Sequence, residues 1–319
     1  MSRTHQRPHR TFKAPLRQQP YATGMLYQNV AGYRQPQKHT KPKRLISLRT
    51  RAYLVMAVML FVGGYAAWNN HVSAEALAAH QAQLQAAAEA QRKADAFGDQ
   101  VQALLTGQTD MLSIAVASDT QSVKTYGSTD TFDGASTAKL LTAADYLHHV
   151  EQGSASLTQK IDGRSAQSWL RAMIVQSDDT AWAALNGYLT HDDLVTYGNS
   201  IGFTNYDPEV NTFTASDVAR LMQQLYTGKL LNTSHRALLL NYLSSANYRQ
   251  YIVAAVPSTD TVYHKVGWDG DTINDAAIIT KGQKYAVLVI FSNGNGSYDT
   301  AARTQLIHTI TNDAVAAYL

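Results

Sequence analysis

The sequence predicts an α+β domain with an antiparallel sheet and flanking helices, preceded by a single transmembrane helix. Three features of the 319 residues carry that expectation. Strand-like runs stand at both ends of residues 99–319 with helical patterns between them, the order that packs a group of helices against a sheet. Residues 52–68 form an uncharged apolar run of 17 residues, enough to cross a bilayer core as a helix. Charge is also split along the chain: residues 1–51 hold twelve Lys or Arg and no acid, leaving fifteen basic against twenty-four acidic residues in the remainder.

Taken in order, residues 1–51 are basic, Gln-rich and interrupted by proline, with little apolar periodicity. Such a segment cannot bury enough surface to offset its ordering entropy, so a disordered cytoplasmic tail is expected. The run at 52–68 (AYLVMAVMLFVGGYAAW) is apolar all round, has Arg49 and Arg51 on one side only, and carries Tyr53, Tyr65 and Trp68 near its ends, where amphipathic rings favour the membrane interface. The basic side faces the cytoplasm, and the chain after Trp68 lies outside the cell membrane. A soluble core helix and a cleavable signal peptide ending near Val72-Ser73-Ala74 are the competing readings. All-round apolarity opposes the first, and a basic lead of 51 residues, far longer than signal peptides carry, opposes the second.

Residues 69–98 are rich in Ala and Gln, with neither Gly nor Pro from 71 to 96, which predicts a helical stalk stopping near Gly98. Its apolar positions are mostly Ala, too small for a strong coiled-coil seam, so it reads as a spacer. Beyond it, 112–118 (LSIAVAS) and 122–126 read as two strands joined by a short polar turn, and a helical pattern covers 136–150. Helical segments fill much of 165–243. Strands follow at 262–266, 275–280 and 285–292, before a terminal helix.

Composition excludes several chemistries. The chain has no cysteine, so disulfides, thiolate metal sites and cysteine nucleophiles are absent. The part expected to fold is acidic and lacks a basic stripe interleaved with aromatics, which argues against nucleic acid as a partner. In the domain the adjacent His148 and His149 show no metal-ligand spacing and read as a solvated helix surface, so neither metal nor cofactor is expected.

Three short segments carry chemistry. Ser136-Thr137-Ala138-Lys139 follows the turn-like Asp133-Gly134 and opens a helical pattern, so that residues i and i+3 share a face. A serine hydroxyl needs a base within hydrogen-bond reach, and Lys139 is spaced to supply one if burial lowers its pKa. Taken alone, the pattern equally fits a serine N-cap with a surface lysine. Ser177-Asp178-Asp179 follows an apolar segment and by itself reads as a helix N-cap with acidic first-turn residues. His264-Lys265-Val266-Gly267-Trp268 ends a strand-like run, and Asp269-Gly270-Asp271 turns the chain into the next strand.

Together and in this order the three segments resemble the Ser-x-x-Lys, Ser-Asp-Asn and Lys-Thr-Gly motifs of class A β-lactamases and penicillin-binding proteins. The resemblance covers residues 99–319, including 172–189 around the second motif. It implies an antiparallel sheet with flanking helices and a separate all-helical subdomain. It also implies roles: Ser136 as the acylated nucleophile, Lys139 as the acylation base, Ser177 as a proton shuttle to the leaving nitrogen, and Lys265 as the anchor for a substrate carboxylate. The oxyanion hole implied by the family uses the backbone N–H groups of Ser136 and of Trp268, the residue after Gly267.

Two motif positions depart from the family. Asp179 stands in place of Asn, exchanging an amide that donates and accepts for a carboxylate that only accepts when ionised. Val266 replaces the hydroxyl residue of the third motif and removes a donor to a substrate carboxylate. The interval between Ser136 and Ser177 is short for a class A enzyme, which implies a more open site. For deacylation, Asp207-Pro208-Glu209-Val210-Asn211 resembles the family's Glu-Pro-x-x-Asn loop, with Asp207 aligned to the glutamate and one methylene shorter, Asn211 beside it, and Glu209 a second candidate.

Three functions are therefore carried forward. The first is hydrolysis of β-lactams through an acyl-enzyme on Ser136. The second is a peptidoglycan carboxypeptidase, endopeptidase or transpeptidase acting on D-Ala-D-Ala stem peptides, favoured by Val266 and by an abbreviated loop after Asn211. The third is a catalytically inactive envelope scaffold.

Overall fold

The computed structural model describes residues 47–298 and 300–319; the basic tail expected over 1–51 lies outside the described residues as far as residue 46. The chain divides into two compact units, Met1–Trp68 and Asn69–Leu319. Residues 48–51, expected in the tail, are instead the first turn of helix α1 (Leu48–Leu105). In the first unit this helix is exposed throughout, Tyr53, Tyr65 and Trp68 included. It is long and apolar enough to cross a membrane, with a window of mean hydropathy 1.5, and so is compatible with single-pass anchoring.

In the second unit α1 runs past the stop expected at Gly98 and ends at Leu105. Gly98 does not break the helix; it makes room, because a Cβ there would lie 2.8 Å from Cε1 of Tyr126. Phe97, fully buried, packs edge-on against Tyr126 and Tyr318 with ring centroids 5.5 Å apart in both pairs. Ala94 and Phe97 thus make the end of the expected stalk part of the folded domain's core, together with Val101 just beyond it.

The strands are β1 (Met111–Ser118), β2 (Lys124–Gly127), β3 (Phe132–Asp133), β4 (Lys160–Ile161), β5 (Arg164–Ser165), β6 (Thr212–Phe213), β7 (Thr261–Asp269), β8 (Thr272–Lys281) and β9 (Lys284–Asn293). The helices after α1 are α2 (Lys139–Glu151), α3 (Ala166–Val175), α4 (Asp179–Tyr188), α5 (His191–Ser200), α6 (Ala215–Tyr226), α7 (Thr233–Ser244), α8 (Ile252–Ala255) and α9 (Thr300–Tyr318). Five strands form one antiparallel sheet in the order β2-β1-β9-β8-β7. The α+β class expected from the sequence is the fold observed.

The central strands are apolar on both faces because both faces are covered. Ala115, Ala276, Ile278, Val287, Val289 and Phe291 join the core shared with the helical layer, while Ile114, Val116, Ile279, Leu288 and Ile290 pack with the end of α1 and with α9 through Ile307 and Ile310. Each fully buried Ile or Leu contributes on the order of 1.5–3 kcal/mol relative to exposure. β7 is left at the sheet edge, where half of its backbone groups point away from β8.

Two small features bind the loop before Ser136. β3 pairs with β6 through Phe132↔Phe213 and Asp133↔Thr212. Gly134 then lies directly against the Phe213 ring, and a Cβ at that position would overlap the ring.

Candidate active site

Ser136 sits in a 3-10 turn, Ala135–Ala138, that leads into α2. Ala135 takes a left-handed φ of 44°, and the Thr137 hydroxyl donates to Gly134 O at 2.6 Å, tightening the turn. In a 3-10 turn residues i and i+3 eclipse, so the helical spacing read from the sequence becomes direct contact. Lys139 Nζ donates to Ser136 Oγ at 2.6 Å.

The lysine is 1% exposed, and its ammonium also donates to Asp179 Oδ1 at 2.6 Å and lies 5.1 Å from the ring centroid of Trp182. Burial lowers the Lys139 pKa, while the bond to Asp179 and its charge pull the other way. A buried lysine with a lowered pKa beside a serine is the arrangement a Ser–Lys acylation pair requires.

The second motif opens α4, but Ser177 is not its cap. Asp178 is the N-cap, accepting from Ala181 N at 3.1 Å, which frees Ser177 to stand just outside the helix with a left-handed φ of 60°. There it meets the third motif: Lys265 Nζ donates to Ser177 Oγ at 2.8 Å and to Val266 O at 2.7 Å. Burial, then repulsion from Lys139, pushes Lys265 down to about 7, against the attraction of Asp275 and Asp179.

Gly267 explains itself by proximity. A Cβ there would lie 2.8 Å from Gly134 O and 3.0 Å from Ser136 N, so any side chain would push β7 away from the serine's own amide. Ser136, Ser177, Asp179, Val266 and Trp268 then line one cleft of about 210 Å³.

The loop offered for deacylation is placed differently. Asp207 pairs with Thr212 through backbone bonds of 2.9 and 3.1 Å, closing a short turn. Its exposed carboxylate accepts from Glu209 N at 3.0 Å and is not among the residues lining the cleft. Glu209 is exposed and faces His191, 3.1 Å from its Nδ1. Asn211 does reach the serine loop: its side chain donates to Ala135 O at 3.2 Å, and its own carbonyl accepts from Gly134 N at 2.8 Å.

The model of the Beta-lactamase enzyme family matches residues 96–318. The chain belongs to this family. An ancestral (GNCA) class A β-lactamase is 25% identical, with 70% of this chain and 100% of that chain covered and a TM-score of 0.64. The structure of PBP-A is 20% identical, with 69% and 95% covered and a TM-score of 0.63, a likeness of fold. A PBP-A variant solved as the acyl-enzyme with penicillin G, 20% identical, covers 70% and 96% with a TM-score of 0.64. No curated protein matches the chain significantly.

Within this member of the Beta-lactamase enzyme family, several residues around the site were not singled out from sequence. Tyr248, Gln250 and Tyr251 form a further wall of the cleft. Their segment is held by Asn247 N bonding to Val175 O at 2.9 Å and by Ile252 N bonding to Asp275 Oδ2 at 3.0 Å. Asn274, fully buried, donates to Asp133 O at 2.8 Å and accepts from Ser292 N, tying the serine loop to the sheet. The signal for Asn274 and Asp275 was in the sequence: two polar residues inside the otherwise apolar strand TINDAAIIT.

The pair Lys139 and Asp179 gives a pH prediction. Asp179 raises the lysine's pKa, so Asp179→Asn removes that pull, and the lysine becomes neutral at lower pH. The acid limb of Ser136 acylation against pH should move to lower pH in this variant, read by the initial rate of adduct formation between pH 5 and 9. A limb that moves upward or stays in place contradicts the assignment of Lys139 to that limb.

Proposed function

We propose that this protein is an envelope serine hydrolase that uses Ser136 to attack an activated amide, a β-lactam or the D-Ala-D-Ala bond of a peptidoglycan stem peptide, and forms an acyl-enzyme. The observation that carries the reading is the 2.6 Å contact between buried Lys139 Nζ and Ser136 Oγ. In the proposed mechanism neutral Lys139 takes the serine proton as Oγ bonds to the carbonyl carbon. The Ser136 and Trp268 amides hold the developing oxyanion, and Ser177, bonded to Lys265, returns a proton to the leaving nitrogen. The chemistry needs neither metal nor cofactor. α1 anchors the domain to the cell membrane with Arg49 and Arg51 on the cytoplasmic side.

For deacylation, a penicillin-binding peptidoglycan enzyme is the better supported outcome. The Asp207 carboxylate accepts a bond from its own loop and is absent from the cleft lining, and displacements of about 1 Å already impair a water-positioning base. The β-lactamase reading keeps one specific support, Asn211 against the serine loop.

The test is incubation of the full chain, in detergent micelles, with a penicillin, following lactam loss and intact mass together. A lasting adduct that Ser136→Ala abolishes is the expected result. Continued turnover with only a transient adduct would establish the β-lactamase instead, and no adduct at all would favour the inactive scaffold.

A further inference from the structure

The wall of the cleft formed by Tyr248, Gln250 and Tyr251 lies in the connection between α7 and α8, outside any helix or strand. It holds a costly conformation. Tyr248 has a left-handed φ of 66°, which a bulky L residue keeps only when its surroundings impose it. Its side chain is exposed, so the constraint comes from the backbone on either side.

Two fully buried residues behind the cleft supply that constraint, His264 on β7 and Asp275 on β8. They face each other, with His264 Nδ1 3.5 Å from Asp275 Oδ1. At the far side of the ring, His264 Nε2 lies 3.3 Å from Ala246 O; a carbonyl only accepts, so Nε2 is the donor and carries a proton. Asp275 Oδ2 accepts from Ile252 N at 3.0 Å. Ala246 precedes the wall and Ile252 follows it, so the pair grips both ends of the segment that carries Tyr248. Among the described residues neither His264 Nδ1 nor Asp275 Oδ1 has a hydrogen-bond partner. Two facing polar atoms buried without a hydrogen bond cost free energy that their own contact does not return, which points to a role outside the pair. That role is not proton transfer at Ser136, because successive strand residues alternate and His264 points to the sheet face opposite Lys265.

We propose that His264 and Asp275 are positioning residues for the substrate wall: through the Ala246 carbonyl and the Ile252 amide they fix Tyr248, Gln250 and Tyr251 in place for substrate binding. The proposal rests on the acylation of Ser136 proposed above and concerns the binding half of that reaction. A wall held beforehand spares the substrate the cost of ordering it, so loss of the grip weakens binding and leaves the chemical step at Ser136 intact.

The test follows the rate of Ser136 adduct formation against benzylpenicillin concentration, with the full chain in micelles. His264→Leu removes the ring donor and should raise the half-saturating concentration about threefold to tenfold, the equivalent of one hydrogen bond, with a limiting rate within about twofold of native. His264→Gln carries an amide donor to the reach of Nε2 and should bring the half-saturating concentration back near the native value. Amide hydrogen exchange over residues 247–252, read on the same proteins without substrate, should quicken in His264→Leu and not in His264→Gln. Should His264→Leu not fold, His264→Asn, whose amide is too short for Ala246 O, takes its place with the same expected result. An unchanged half-saturating concentration, a loss confined to the limiting rate, or no rescue by His264→Gln overturns the proposal. A native chain that forms no adduct overturns the acylation reading alone, and the exchange rates then decide whether the pair holds the wall.

Discussion

Replacing Lys139 with Met lowers the rate of Ser136 acylation by about 10² to 10⁴, the usual range for a positioned general base, while leaving the domain at least as stable. The rate falls because, among the described residues, Lys139 Nζ is the basic group bonded to Ser136 Oγ. Stability holds for a separate reason. The lysine is 1% exposed, and taking an ammonium out of water carries a penalty that an unbranched apolar side chain of similar volume does not. Its partner Asp179 has a side chain 85% exposed, so the orphaned carboxylate returns to water rather than remaining buried. Adduct formation by intact mass and thermal melting, measured on the same preparation, separate the two effects. Acylation within tenfold of the native rate would remove Lys139 from the mechanism.

How far the site could be read beforehand depended on whether local spacing determined the contact. Ser136 and Lys139 lie three residues apart in one turn, so their meeting followed from local geometry alone. Ser177 and Lys265 meet across 88 residues of sequence, and only the resemblance to the family motifs joined them. Asp207 shows the limit of that resemblance. A sequence alignment places a carboxylate at a position but does not say which way it turns, and here the short Asp207–Thr212 turn gives the carboxylate a local amide to bind.

The strands were legible for the same physical reason that their edges were not. Val289, Leu288 and Ile290 are apolar because both sheet faces are covered, a strong signal over several residues. Strand ends such as Thr261 and Lys281 are exposed and carry no such constraint, so they extended beyond the expected limits. Gly98 misled for another reason. A glycine within a helix usually weakens it, but this one is required by the Tyr126 ring, a contact made across the fold.

Asp145 was also hidden in the sequence, inside an ordinary helical pattern, and it carries the largest expected effect on stability. It is 1% exposed on α2 and lines a cavity of about 340 Å³, and among the described residues none hydrogen-bonds to either carboxylate oxygen. His149 Nε2, at 3.6 Å from Oδ1, is beyond hydrogen-bond reach. Burial, with repulsion from Asp193, pushes the carboxyl up from its ordinary 3.8 to about 7. A raised carboxyl pKa means that the folded state holds a proton the unfolded chain has released, so this group's contribution is fully present below about pH 4, declines as pH rises, and is lost above about pH 7. The ionised form in the folded state then costs roughly 2 to 4 kcal/mol. Asp145→Asn keeps the shape without the charge, so at pH 8 it should melt roughly 5 to 10 °C above the native chain, while at pH 5 the gap should shrink to less than about half of that. Equal differences at both values would mean that the carboxylate finds water or a cation in that cavity and that its burial leaves no mark on stability.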